Sequence, residues 1–319
     1  MIKLFSIFEM EYTPFKTDWG VEYLRQHQIE ITNQINDADI FLTNWLPEQN
    51  LKQKLKFVLK YRKLIPILLW THEPRYNTLT KNFLKGNFIY PDIHIMNIYN
   101  GNIYVNNYSH YGIHIKQKLN FIDKEFIKNK NEKIIGLASY IVKPNEQKLI
   151  FNGVNYDLAL KRQRLLMDGY YMGVVDVYGK RWPDNIALQN SRDSADWHTK
   201  KMDLIGSYKF NICMENTDYR YYVSEKIWDS INSYCLPIYR GSEDFIYEDF
   251  PRNSFIDFND FSCNHELLEY VININDDDYC DRMNRCIEAY NTIFERDDFL
   301  DKRNQSLDLI VKKIQEIVK

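Results

Sequence analysis

Short apolar runs alternate with amphipathic stretches along most of this chain, and that alternation restricts its fold more than any other feature. Ile2–Phe8 reads as a strand, Val21–Ile29 as a helix and Asp39–Thr43 as a buried strand. Leu51–Tyr61 reads as a Lys-rich amphipathic helix, and Ile65–Thr71 as a second buried strand. Strands joined through helices run parallel, because such a crossover returns the chain to the same end of the sheet. From Leu119 to Lys133 the sequence turns charged and Asn/Lys-rich, as a linker does. The rhythm then restarts with Ile134–Ser139 (strand), Tyr156–Tyr171 (helix) and Val174–Tyr178 (strand). Tyr208–Met214 (strand), Ser224–Tyr234 (helix) and Leu236–Tyr239 (strand) follow. In 319 residues this predicts two domains, 1–132 and 133–319, the second carrying a C-terminal helix. The expected fold is α/β, two Rossmann-like domains facing a cleft, a usual place for ligands.

Composition removes several function classes. A net charge of −3, with both signs mixed along the chain, gives no basic face for nucleic acid. With 11 glycines there is neither a GxGxxG nor a P-loop pattern, so bound phosphate has to be held by side chains and helix N-termini. Five cysteines, odd in number and without a CxxC pair, read as thiols of a soluble, cytoplasmic protein. The 24 tyrosines suit packing and the rims of sugar-binding clefts alike.

The densest chemistry lies between Tyr208 and Phe261. A buried strand ends at Met214 and releases Glu215 and Asn216 at its carboxyl end, where open α/β sheets place ligand groups. A polar loop leads to a helix beginning near Ser224, with Ile227, Trp228, Ile231, Tyr234 and Cys235 as its apolar face. Ser224 suits the N-cap, and Lys226 adds a full positive charge to a helix end that already favours anions. Strand end and helix start together describe a candidate diphosphate site; a simple solvated helix start is the alternative reading of the same residues.

The same block resembles the family 10 glycosyltransferases, the α-1,3-fucosyltransferases. The resemblance rests on Tyr208-Lys209-Phe210, Glu215-Asn216, Tyr222-Val223-Ser224-Glu225-Lys226, Pro237, Gly241 and Pro251-Arg252-Asn253-Ser254-Phe255-Ile256. Upstream, Arg162 on a helix leading into Val175-Asp176-Val177-Tyr178-Gly179 fits the pattern. Ser224 stands where the family usually has threonine, and Thr71-His72-Glu73-Pro74 stands where it carries a strand-end glutamate in a Glu-Ser-Pro context.

The resemblance implies a GT-B type fold and an inverting transfer of L-fucose from GDP-fucose to a hydroxyl of a glycan acceptor. It implies Glu73 as the base that takes the acceptor proton, with His72 as its rival, and Arg162 and Lys226 as the cations that neutralise the diphosphate. Asn216, Tyr222 and Glu225 would hold ribose and fucose hydroxyls and the phosphate edge. No metal or other cofactor is required on this reading. Arg164, two residues from Arg162, is an alternative for its role. Another nucleotide-linked deoxysugar as donor, or a non-catalytic sugar-nucleotide or glycan binder, are the competing functions.

Two smaller features remain. His94, His110 and His114 lack an acidic partner at ligand spacing and read as loop histidines rather than a zinc site. Leu307, Ile310, Val311, Ile314, Ile317 and Val318 form a helical stripe near Lys312, Lys313 and Lys319. Packing back on the protein is the first reading of that stripe, and weak peripheral membrane contact is the second.

Overall fold

The computed structural model describes residues 1–7, 10, 13–44, 60–61, 63–72, 82–88, 90–100, 103–109, 113, 115–147, 149–183, 185–189, 196–242 and 245–319. The chain divides into two compact units, Met1–Gly112 with Leu300–Lys319, and Ile113–Phe299.

The first unit is built on a six-stranded sheet ordered β2-β1-β3-β4-β6-β5, with β1 Ile2–Ser6, β2 Ile29–Thr32, β3 Ile40–Thr43, β4 Ile67–Trp70, β5 Phe83–Leu84 and β6 Ile93–Met96. All its pairings are parallel except that of the edge strand β5. Strands β3 and β4 are buried at every position, which is why they appear as continuous apolar runs rather than alternating ones. Helix α1 (Asp18–Gln26) crosses between β1 and β2. Of the sequence-predicted helix Leu51–Tyr61, residues 51–59 lie outside the described residues.

The second unit carries β7 Asn131–Leu137, β10 Val175–Tyr178, β11 Ala187–Gln189, β12 Tyr208–Ile212, β13 Leu236–Tyr239 and β14 Ile256–Asp257. A small antiparallel pair, β8 Ile150–Phe151 and β9 Val154–Asn155, stands outside this sheet. Its helices include α2 Lys124–Ile127, α3 Pro144–Gln147, α4 Ala159–Tyr171, α5 Trp197–Gly206, α6 Glu225–Asn232, α7 Asn264–Ile272 and α8 Asp276–Phe294. The sheet order is β11-β10-β7-β12-β13-β14, every pair parallel. Numbered within the sheet this is 3-2-1-4-5-6, the Rossmann order. The chain reverses its direction of travel between β7 and β12, so a crevice opens beyond their carboxyl ends. Two close approaches fix this half of the sheet. A Cβ on Gly136 in β7 would meet Leu166 of α4 at 1.9 Å. One on Gly179, at φ 147°, would meet the Ala138 carbonyl oxygen at 2.0 Å. That second approach explains the glycine ending the Val175–Gly179 motif.

The unit boundary falls at 112/113 rather than at 132/133, and the C-terminal helix α9 (Phe299–Ile317) belongs to the first unit. The stretch read as a linker is anchored in the second unit. Leu119 exchanges two backbone bonds with the amide of Asn291 on α8, and Ile122 does the same with Asn284. Ile127 is fully buried. Helix α9 returns to α1 through a Tyr23 hydroxyl donating to Asp308 and the Arg303 guanidinium 4.3 Å from the Trp19 ring centre. Leu307, Ile310, Val311 and Ile314 are buried, so most of the apolar stripe serves packing, while Val318 stays exposed. No helix among the described residues is long and apolar enough to cross a membrane.

Candidate nucleotide-sugar site

Strand β12 is buried along its whole length, and its alternation sorts the chemistry. Lys209 of the Tyr-Lys-Phe motif is buried between Glu132 (2.7 Å) and Asp276 (2.9 Å). Tyr208 donates its hydroxyl to Asp176 at 2.9 Å, and Phe210 packs edge-on against Tyr279. This part of the motif pins the strand to its neighbours rather than presenting groups to a ligand.

Beyond Ile212 the chain stays paired to β13 and the residue after it, with Cys213 N–H bonded to Ile238 O and Glu215 N–H to Arg240 O. Glu215, expected at the mouth of the site, is fully buried and faces inward. It accepts from Ser224 N–H at 2.7 Å, Ser224 Oγ at 2.6 Å, Lys226 Nζ at 3.1 Å and Tyr239 OH at 3.1 Å. A buried carboxylate is tolerable only with partners of this kind. Burial and the neighbouring Glu215 charge together push the Tyr239 hydroxyl well above its ordinary pKa.

Ser224 occupies the N-cap position of α6, as predicted, but its hydroxyl does not cap the helix. It donates to Glu215 and accepts from Lys226 Nζ at 2.6 Å. The first-turn N–H groups therefore receive no side-chain cap from Ser224, which leaves the helix start suited to an anion. Helix α6 ends at Asn232, two residues earlier than expected. Tyr234 takes a left-handed conformation at φ 53°, and Cys235 N–H reaches back to Ser230 O at 3.0 Å. That is a Schellman ending with tyrosine in the usual glycine place.

Helix α4 supplies the second cation. Arg162 spreads its fork over the β12 extension, one nitrogen donating to Met214 O at 2.5 Å and the other to Asn216 Oδ1 at 2.8 Å. Arg164 is exposed on the other side of the helix. Since Met214, Glu215 and Asn216 are consecutive, Arg162 and Lys226 both lie on the extension of one strand, at the carboxyl-end crevice between β7 and β12. Asp218 pairs with Arg240 at 2.6 Å beside them, and Leu158 N–H binds Asn216 O.

Of the other predicted donor residues, Glu225 stands 3.9 Å from Lys226 and 4.0 Å from Lys201 of α5. Tyr222 is buried beneath the loop, its N–H bonded to Tyr219 O. Glu73, His110 and His114 lie outside the described residues. His72 receives the Trp70 indole N–H at 3.3 Å, and His94 is half-buried in β6. No group of three or more metal-ligating side chains occurs among the described residues. Sequence reasoning missed the buried role of Glu215 and the pairs Arg240–Asp218 and Lys201–Asp229. Arg240 sits just before the motif glycine and carried a weak signal; Lys201 carried none.

Fold and site thus define an α/β protein with a cationic strand-end and helix-start site suited to phosphate groups. Residues 147–284 match the family described as glycosyltransferase family 10 (fucosyltransferase), C-terminal. An alpha-(1,3)-fucosyltransferase of Helicobacter pylori is 38% identical over 81 residues, covering 25% of this chain and 17% of that protein. An alpha-(1,4)-fucosyltransferase of Arabidopsis thaliana is 33% identical over 109 residues, covering 33% of this chain and 26% of that protein. The chain thus spans between about a sixth and a quarter of the length of these relatives. A crystal structure of an alpha1,3-fucosyltransferase with GDP-fucose aligns over 93% of this chain and 91% of that one, at 18% identity and a TM-score of 0.46.

Proposed function

We propose that this protein is an inverting glycosyltransferase that moves L-fucose from GDP-fucose to a hydroxyl of a glycan acceptor. The observation that carries the reading is the meeting of the family's spaced residues at one crevice, with Arg162 and Lys226 on the extension of β12. The acceptor oxygen attacks C1 of fucose, and GDP departs from the opposite face with the bonding electrons. The transition state resembles an oxocarbenium ion, so negative charge grows on the leaving diphosphate. Arg162, Lys226 and the first turn of α6 are the groups to stabilise it, and on this reading no metal or other cofactor is required. Asn216 and Glu225 would orient donor hydroxyls and the phosphate edge, Tyr222 would shape the pocket from beneath, and Glu73 would take the acceptor proton.

The five cysteines are all thiols, four of them buried, which supports a reducing, cytoplasmic setting. The deciding experiment is calorimetry with GDP, UDP and CMP, followed by a donor screen on a panel of glycan acceptors. Tighter binding of GDP and fucose transfer from GDP-fucose are expected. UDP binding as tight as GDP would overturn the reading, and turnover only with another GDP-linked deoxysugar would move the donor.

A further inference from the structure

Lys201 belongs to none of the matched motifs, yet α5 delivers it to the start of α6. Its side chain is 13% exposed, and its ammonium donates to Asp229 Oδ2 at 2.6 Å while lying 4.0 Å from Glu225 Oε1. The Trp197 ring on the same helix is 5.9 Å from that ammonium. Glu225 and Asp229 are four residues apart on α6, two like charges on one helix face. Asp229 is nearly buried, with a side chain 8% exposed. The groups facing it are Lys201 and His198 from α5, Glu225 from its own helix and Tyr290 from α8. Glu225 is also 3.9 Å from Lys226, so its carboxylate stands between two lysines.

We propose that Lys201 is a positioning residue for the donor diphosphate: bonded to Asp229 and 4.0 Å from Glu225, it offsets both carboxylates, so that Glu225 does not draw the Lys226 ammonium closer than the 3.9 Å at which the two stand. This rests on the nucleotide-sugar reading of the site. Two carboxylates in the opening turns of α6 oppose a diphosphate arriving at the same helix end, and a cation lodged behind them offsets that opposition. Lys201 achieves this without touching the donor. Without it, Glu225 turns to the Lys226 ammonium beside it and Asp229 loses its cation, so the arriving anion meets a less positive helix start.

The test is calorimetry with GDP on Lys201→Met at about pH 5.5 and about pH 8.5, each value taken as a ratio to the unaltered protein so that protonation of GDP itself cancels. At about pH 8.5 the variant should bind GDP about tenfold more weakly. Burial raises the Asp229 carboxyl, and its coulombic partner Lys201 lowers it, so removing Lys201 lets Asp229 take up a proton at higher pH. The deficit should therefore be largest at the alkaline end and shrink toward acid. Adding Asp229→Asn to Lys201→Met should restore most of the affinity and flatten the profile.

An equal affinity of Lys201→Met and the unaltered protein at both pH values sinks the proposal. So does a deficit that Asp229→Asn leaves in place, since that marks a purely structural loss. If Lys201→Met does not fold, Asp229→Asn alone decides: it should tighten GDP binding severalfold, and unchanged or weaker binding counts against the idea. Failure of the unaltered protein to prefer GDP over UDP would instead remove the underlying functional reading.

Discussion

Lys226 Nζ stands 3.1 Å from Oε2 of Glu215, whose side chain has no solvent exposure while that of Lys226 is 20% exposed. The aim of the cation at the candidate site is therefore set by a carboxylate that no ligand can reach. Replacing Glu215 by Ala would strand Lys226, the Tyr239 hydroxyl and the Ser224 N–H around an empty acceptor. Breaking such a buried pair costs about 3–5 kcal/mol. Urea unfolding should show a loss of that order for Glu215→Ala and a smaller one for Glu215→Gln, which keeps the shape. A loss below about 1 kcal/mol in Glu215→Ala would mean the four bonds contribute little net stability.

The two cations should separate from their neighbour. Arg162→Ala and Lys226→Ala should each weaken GDP binding about tenfold or more, since hydrogen bonds to charged groups are worth about 1.5–3 kcal/mol. Arg164→Ala should leave it unchanged, because that side chain is exposed on the opposite side of α4. Calorimetry with GDP reads all three variants. Loss in Arg164→Ala with none in Arg162→Ala would shift the assignment by two residues.

The proposed base is tested by separating chemistry from binding. Glu73→Gln keeps size and shape but cannot accept the acceptor proton. Turnover with GDP-fucose should fall by roughly 10²–10⁴-fold with GDP affinity intact. His72 is held by the Trp70 indole, so His72→Ala should cost much less turnover. Near-normal turnover in Glu73→Gln and a collapse in His72→Ala would exchange the two roles.

Alkaline pH should unfold the protein cooperatively. Burial raises the Tyr239 and Tyr279 hydroxyls well above their ordinary range, and it pushes Tyr90 up to about 12. These groups are neutral in the folded chain while the unfolded chain ionises them at about pH 10. Their contribution is complete below that pH and is lost as pH rises toward the folded values. Each buried group should remove about 1.4 kcal/mol per pH unit in that window. Urea midpoints taken at about pH 9 and about pH 11 should differ accordingly, and Tyr279→Phe should reduce the difference. Identical midpoints would contradict the burial of these hydroxyls.

A thiol reagent offers a simple check on the second unit. Cys263 is exposed, whereas Cys213, Cys235, Cys280 and Cys286 are buried. One thiol should react rapidly in the native protein and the remainder only on unfolding. Rapid labelling of several would show that α8, which carries Cys280 and Cys286, opens readily.

The sequence by itself determined the alternation of buried strands and helices, and with it two parallel sheets, because continuous apolar runs such as Ile67–Trp70 and Leu236–Tyr239 leave few other places to lie. It also determined which side chains gather at the candidate site, since the Glu215-Asn216 and Ser224-Glu225-Lys226 spacings are local to one strand–loop–helix unit. Tertiary structure alone decided which of those side chains turn outward. Glu215 and Asn216 are adjacent polar residues with the same sequence signal, yet one is buried under four hydrogen bonds and the other meets Arg162. Which way each points depends on β13 and α4, brought in from other parts of the chain. The same holds for Leu119–Lys133, polar enough to read as a linker but held by Asn284 and Asn291, more than 160 residues away. Hydrophobic periodicity reports which face of a segment avoids water; it carries no information on which distant amide, carboxylate or guanidinium will satisfy the polar groups that remain.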